Sequence, residues 1–298
     1  MPYITSIVEN SKPVKIFYED WGSGKPVVLI HGWPVDHNMW EYQMTHLASM
    51  GLRCIAYDRR GFGKSDQPWQ GYDYTTMAED LRAIISELDL HEVTLVGFSM
   101  AGGEVIRYCH KHCSARISKI ILVSSIIPYM LQTDTNPKGV PAEVFDKMEE
   151  QLTNDRPAFL TEFGKTFFGV NWINHPVSND ILSWMQNLAL QASPKATLDC
   201  MRSFSKTDFR EELASIQVPT LVIHGDMDHT VPIEATGEQA AAVIKGATYK
   251  IYPGAPHGLF ITEKEMLASD IRQFAETGTV SEIQMEPLPY APQENLFI

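Results

Sequence analysis

The tetrapeptides Val27-Val28-Leu29-Ile30 and Ile120-Ile121-Leu122-Val123 are apolar at every position. A strand sends successive side chains to opposite faces, so a run without a polar member must be buried on both faces. Runs of this kind alternate along the chain with amphipathic segments of helical period. That alternation predicts an α/β fold, a mostly parallel sheet with helices on both faces. Strands are expected at Lys15–Glu19, Val27–His31, Arg53–Asp58, Val93–Gly97, Lys119–Ser124, Thr220–His224 and Thr248–Tyr252. The first precedes the turn Trp21-Gly22-Ser23-Gly24 and is expected to pair antiparallel at one edge. Helices are expected at Trp40–Met50, Thr75–Leu88, Met100–His112, Glu234–Ile244 and Thr262–Glu276.

The alternation breaks after Pro128 and resumes near Leu213. The intervening stretch reads as helical pieces at Ala142–Leu152, Ala158–Phe168, Asn179–Gln191 and Lys195–Ser205. It is rich in large apolar residues such as Phe159, Phe163, Phe167, Trp172 and Trp184. Each alone reads as helix core; together they suit an insertion over the C-terminal edge of the sheet, where such folds bind ligands. The expected organisation is a core of residues 1–127 and 214–276, a helical cap of residues 128–213, and a Pro-containing tail of residues 277–298 with disorder as its default reading.

Lys and Arg number 24 against 37 Asp and Glu, a net charge of −13. This argues against nucleic acid and against an anionic membrane surface as partners, and suits a neutral or weakly polar small molecule. The first residues carry neither a basic region nor an apolar core of a signal peptide, and no apolar run approaches the ~18 residues of a membrane helix, so a cytoplasmic protein is expected. The four cysteines lack C-x-x-C spacing and are expected to be reduced. In Cys109-His110-Lys111-His112-Cys113, the two cysteines share a helix face while the histidines point elsewhere, so no metal is expected there. No cofactor is expected, and a homo-oligomer is left open.

Gly97-Phe98-Ser99-Met100-Ala101 joins an expected strand to an expected helix through a tight turn with serine at its apex. Such an elbow lifts a serine hydroxyl clear of the sheet and needs small flanking residues. Ala101 stands where the pattern has a second glycine, so a slightly widened elbow is expected, with Gly102 and Gly103 relieving the crowding. Acyl transfer by serine also needs a base, a group to orient the base, and donors for the oxyanion. His257, in a Gly/Pro loop after the last strand, is the candidate base. Asp226 and Asp228 compete as the acid; Asp228 is favoured, with Asp226 bracing the turn. The order Ser99…Asp228…His257 matches that of α/β-hydrolases. Candidate oxyanion donors are the backbone N–H groups of Trp33 and Met100, while Pro34 has none to offer. His31 is expected to shape its own turn, and the Tyr57–Ser65 segment to be a structural loop held by Asp58 and Arg59. Trp33, Met100, Phe163 and Trp184 are the candidate substrate contacts.

The motifs His31-Gly32-Trp33-Pro34, Asp58-Arg59-Arg60-Gly61-Phe62-Gly63-Lys64-Ser65, Gly97-Phe98-Ser99-Met100, Gly102-Gly103-Glu104-Val105 and Ala255-Pro256-His257-Gly258 together resemble one family. It is that of the cofactor-free haloperoxidases among the α/β-hydrolases, which includes bacterial arylesterases, perhydrolases and some γ-lactamases. The resemblance spans roughly residues 1–277 and implies an eight-stranded sheet with a helical cap. It also implies the Ser99–Asp228–His257 triad, oxyanion donors at Trp33 and Met100, and hydrolysis of small carboxylic esters through an acyl-enzyme. A side activity is implied as well, peracid formation from hydrogen peroxide, with Pro34 at the position associated with it. Amide or lactam hydrolysis on the same triad, and a ligand receptor with little turnover, are the alternatives. Dehalogenase and epoxide-hydrolase chemistry need aspartate where Ser99 stands.

Overall fold

In the computed structural model of this protein, which describes residues 2–6 and 12–280, consecutive residues of the apolar runs serve two different cores. Val28, Ile30, Ile120 and Leu122 belong to one buried cluster, and Val27, Leu29, Ile121 and Val123 to the other. The strands are β1 (Tyr3–Ser6), β2 (Val14–Gly22), β3 (Lys25–Ile30), β4 (Leu52–Tyr57), β5 (Val93–Phe98), β6 (Ile117–Val123), β7 (Thr220–Gly225) and β8 (Thr248–Tyr252). They form one 8-stranded sheet in the order β1-β2-β4-β3-β5-β6-β7-β8. β2 runs antiparallel to both its neighbours, and every other pairing is parallel.

The edge of the sheet corrects one expectation. β2 is antiparallel as its sequence predicted, but it is the second strand, because β1 pairs outside it. β1 has only four residues, of which Ile4 and Ser6 are buried. A stretch that short carries too little periodicity to be read from sequence.

One face is covered by α2 (Tyr74–Glu87) and α3 (Ala101–Lys111), which contribute Met77, Leu81, Val105 and Ile106 to the first cluster. The other is covered by α1 (Glu41–Ser49), contributing Met44 and Leu47, and α10 (Lys264–Thr277), contributing Leu267, Ile271 and Phe274. Between β6 and β7 the chain forms α4 (Ala142–Phe167), α5 (Asn179–Gln191), α6 (Pro194–Lys206) and α7 (Arg210–Leu213). The two helical pieces expected on either side of residue 155 are both present, as two helices that meet at a kink within the α4 range. Asp155 leaves helical geometry at φ −152° and ψ 80°, two residues before Pro157. Proline cannot supply a helical N–H, and the Asp155 carboxylate caps the second half through the Ala158 N–H at 3.1 Å. The late segments are α8 (Gly237–Val243), α9 (Leu259–Thr262) and α10. Most of the tail expected at 277–298 lies outside the described residues. Among the described residues no helix is long and apolar enough to cross a membrane.

Candidate active site

Trp33, Ser99, Asp228 and His257 all stand on turns or loops beyond the C-terminal ends of parallel strands. Ser99 follows β5 and begins the turn into α3 with φ +55°. A non-glycine residue in this left-handed region is strained and needs support from its surroundings. The support is hydrogen-bonded: Ser99 N–H donates to the Val123 carbonyl at 2.9 Å, and the Ser99 carbonyl accepts from Gly102 and Ile126 at 3.1 and 3.3 Å. Tyr74 O–H binds the Met100 carbonyl at 3.0 Å and ties the elbow to α2.

The small residues of the elbow work differently from the expectation. A Cβ at Gly97 would lie 3.0 Å from the Ala101 carbonyl and 2.9 Å from a Val105 methyl, so Gly97 lets strand and helix approach. A Cβ at Gly102 would land 1.8 Å from Ser125 Oγ, and one at Gly103 would strike the Phe209 and Tyr74 rings. Gly102 and Gly103 therefore admit neighbouring elements and do not relieve Ala101. The Ala101 methyl is fully buried in the core, and the serine geometry beside it is intact.

His257 lies after β8, with its Nε2 3.0 Å from Ser99 Oγ and its Nδ1 2.6 Å from Asp228 Oδ2. Asp228 lies after β7, and its Oδ1 accepts the N–H groups of Thr230 and Val231 at 2.9 and 2.8 Å. These partners assign the His257 tautomer: Nδ1–H donates to the carboxylate, leaving Nε2 to accept the Ser99 proton. Burial alone would raise the Asp228 carboxyl, but His257 and His224 outweigh it and hold the group well below the usual carboxylate range. Asp226, the competing acid, is exposed and accepts Gly254 N–H at 2.6 Å, bracing the turn as expected.

The His257 ring packs against two phenylalanines, themselves in contact, that sequence reasoning did not assign to the site. Phe98 lies 4.9 Å away, and Phe167 of α4 meets the ring edge-on at 4.7 Å. The Phe167 carbonyl also accepts Gly258 N–H at 2.8 Å, so the end of α4 fixes the histidine loop by side chain and backbone. The only advance signal was an aromatic residue beside the elbow serine and a Phe-Phe pair at the helix end.

Trp33 lies on the loop after β3, which passes directly over the elbow. A Cβ at Gly32 would lie 2.5 Å from the Phe98 ring and 3.2 Å from Ser99 Cβ, so only glycine fits there. His31 shapes this turn, as its position suggested. Its Nε2 accepts the Arg59 N–H at 2.9 Å, so its proton is on Nδ1, which donates to the Gly32 carbonyl at 2.8 Å. That carbonyl and the Trp33 N–H belong to one planar peptide, so holding the first orients the second. Burial, then the Arg59 charge, lowers the His31 pKa well below its usual value and keeps the ring neutral. Arg59 is fixed by Glu104 of α3 at 2.8 Å, both groups being buried. Asp58 accepts His37 N–H at 2.9 Å and Lys64 N–H at 2.7 Å, which makes the 58–65 segment a braced structural loop. Outside helices and strands, neither Trp33 N–H nor Met100 N–H has a backbone acceptor among the described residues.

Ser99, His257 and Trp33 open onto a cavity of about 710 Å³. Its apolar wall includes Trp33, Phe145, Phe159, Phe163 and Phe204, and α4 supplies much of the lining on both sides of its kink. The Trp33 indole N–H is bound to the Thr197 carbonyl at 2.9 Å, which leaves that wall without a free donor. The α4 lining carries Glu150, Asp155 and Glu162 against Lys147, with Glu162 also paired to Lys165 at 2.7 Å. Two expected substrate contacts are corrected. The Met100 side chain is buried in the core beneath the elbow, and Trp184 packs partly buried against the other cluster; neither lines the cavity. In α5 the neighbour Met185 turns inward, and a residue one position along a helix faces some 100° away.

With this geometry in place, similarities to known proteins are informative. A family profile described as the alpha/beta hydrolase fold matches residues 25–264. The chain is 41% identical over 263 residues to a non-heme chloroperoxidase of Kitasatospora aureofaciens, covering 88% of this chain and 96% of that one. It is 37% identical over 278 residues to a bifunctional esterase/perhydrolase of Acinetobacter calcoaceticus, covering 92% and 99%. Among solved structures, a bromoperoxidase from Bacillus anthracis superposes with a TM-score of 0.88 at 42% identity, covering 92% of this chain and 99% of that one.

Proposed function

This chain belongs to the alpha/beta hydrolase fold family and is an enzyme of the hydrolase class, and from that premise we propose that it is a serine carboxylesterase working through an acyl-enzyme. The observation that carries the reading is the unbroken chain of hydrogen bonds Ser99–His257–Asp228, ending at a serine that faces a cavity of about 710 Å³. His257 Nε2 takes the Ser99 proton as Oγ attacks the ester carbonyl. The carbonyl oxygen gains a negative charge, received by the N–H groups of Trp33 and Met100, the latter at the positive end of α3. Collapse of this intermediate expels the alcohol, which carries away the proton held by His257. Water then attacks the acyl-enzyme, giving its proton to His257, and the carboxylic acid leaves with Ser99 restored. Asp228 holds the imidazole in its tautomer and stabilises the imidazolium while it lasts.

Hydrogen peroxide in place of water gives the peracid by the same deacylation step. This second reading is favoured by the esterase/perhydrolase and chloroperoxidase names of the relatives. The aromatic wall and the excess of carboxylates on α4 favour uncharged esters with an apolar acyl or alcohol group. The test is turnover of neutral p-nitrophenyl esters by the wild type and by Ser99→Ala. The reading expects hydrolysis by the first only, and wild-type turnover in the variant would remove Ser99 from the chemistry.

A further inference from the structure

Asp228 has a second imidazole partner that the mechanism above does not use. His224, near the end of β7, is fully buried. Its Nε2 lies 3.0 Å from the Val231 carbonyl and 3.2 Å from Asp228 Oδ2. A carbonyl can only accept, so Nε2 carries the proton and donates it to Val231, with Asp228 Oδ2 close beside the same N–H. Nδ1 is buried without a partner, and a Cβ at Gly237 would lie 2.5 Å from it. The ring is thus wedged in a single orientation, with only a glycine able to stand behind it.

We infer that His224 is a positioning residue of the active site, which tunes the basicity of His257 through their shared carboxylate oxygen. The inference rests on the Ser99–His257–Asp228 reading. Asp228 accepts three hydrogen bonds, two backbone N–H groups on Oδ1 and His257 on Oδ2, and His224 Nε2 stands 3.2 Å from the same Oδ2. Hydrogen bonds on both oxygens fix the carboxylate's rotation, and the His224 N–H dipole lies against the oxygen that holds His257. The His224 proton also draws electron density from the oxygen that holds His257 Nδ1–H. With that donor gone, Asp228 becomes a stronger partner for the imidazolium, and His257 holds its proton to higher pH. A histidine that merely filled space under the loop would have no such effect.

The test compares kcat/KM against pH for the wild type, His224→Leu and His224→Gln of the full chain, with an uncharged p-nitrophenyl ester. The other ionisable groups facing the cavity are His229 on the acid loop and Lys147, Glu150, Asp155 and Glu162 on α4. All remain in every variant, so a difference between variants reports His224. In His224→Leu the acid limb should move up by about half a unit or more, with kcat falling more than KM changes. In His224→Gln, whose amide N–H can occupy the place of Nε2–H, the limb should stay near its wild-type position. If the leucine variant does not fold, His224→Asn replaces it, since its shorter amide cannot reach Asp228, and the same upward shift is expected. A limb unmoved in the donor-lacking variant overturns the inference, whatever happens to its stability. Ser99→Ala measured alongside separates the two readings. Retained turnover there defeats the triad itself, whereas lost turnover with an unmoved limb defeats only the role of His224.

Discussion

His257 Nε2 and Ser99 Oγ stand 3.0 Å apart across a separation of 158 residues in the chain. The parallel sheet brings them together, because β5 and β8 both end on the side where their loops meet. The same loops set apart two aspartates that lie two positions from each other. Asp228 reaches the imidazole, and Asp226 binds the Gly254 backbone N–H. Asp228→Asn should therefore lower kcat by roughly 10⁴-fold, as loss of the orienting carboxylate does in serine proteases. Asp226→Asn should cost far less, and steady-state kinetics with a neutral ester check the ranking. The opposite order would transfer the acid to Asp226.

The depressed Asp228 carboxyl makes a signed prediction for stability. A carboxyl whose pKa is lower folded than unfolded stabilises the fold fully above its unfolded value, near 3.9. The contribution is lost as pH falls below that value towards the folded one. Urea midpoints for the wild type and Asp228→Asn should differ most near neutral pH and converge below about pH 4. A difference that widens on acidification would contradict the assigned ionisation.

Phe163 and Trp184 should separate cleanly. Phe163 lines the cavity, stacks on Phe159 with centroids 5.6 Å apart, and meets Trp33 edge-on at 5.2 Å. Phe163→Ala should lower kcat/KM for an aryl ester by roughly tenfold or more, mainly through KM. Trp184→Ala should leave kcat/KM for the same ester close to the wild type, because its ring lies outside the cavity. Equal losses in the two variants would redraw the substrate wall.

Ala101 is part of a well-packed elbow, so restoring glycine there should not help. Ala101→Gly removes a buried methyl group in the first turn of α3 and should destabilise the protein by about 1 kcal/mol with no gain in kcat. Chemical denaturation beside ester kinetics measures both. A variant that is faster and as stable would mean that the methyl group strains the elbow after all.

The parts of this molecule that could be read from its sequence are those fixed by neighbours in the chain. The central strands announce burial on both faces, and the elbow, the acid loop and the histidine loop each carry their residues in a short segment. What escaped depends on contacts that only the folded chain makes. β1 is too short to show a period and gains its place only by pairing with β2. Whether Met100 or Trp184 faces the cavity depends on how the elbow and α5 are rotated, which residue type does not encode. Phe167 and His224 act through the His257 ring and the Asp228 carboxylate, which lie 90 and 4 positions away but are met only in the folded chain.

The most direct test of the account is reaction with a fluorophosphonate, followed by mass spectrometry of the digested protein. Phosphonylation needs a serine activated by a neighbouring base. The account predicts one adduct per chain, on the peptide containing Ser99, with esterase activity lost in proportion to labelling. Full activity with Ser99 completely labelled, or inactivation with the adduct on another residue, would contradict it.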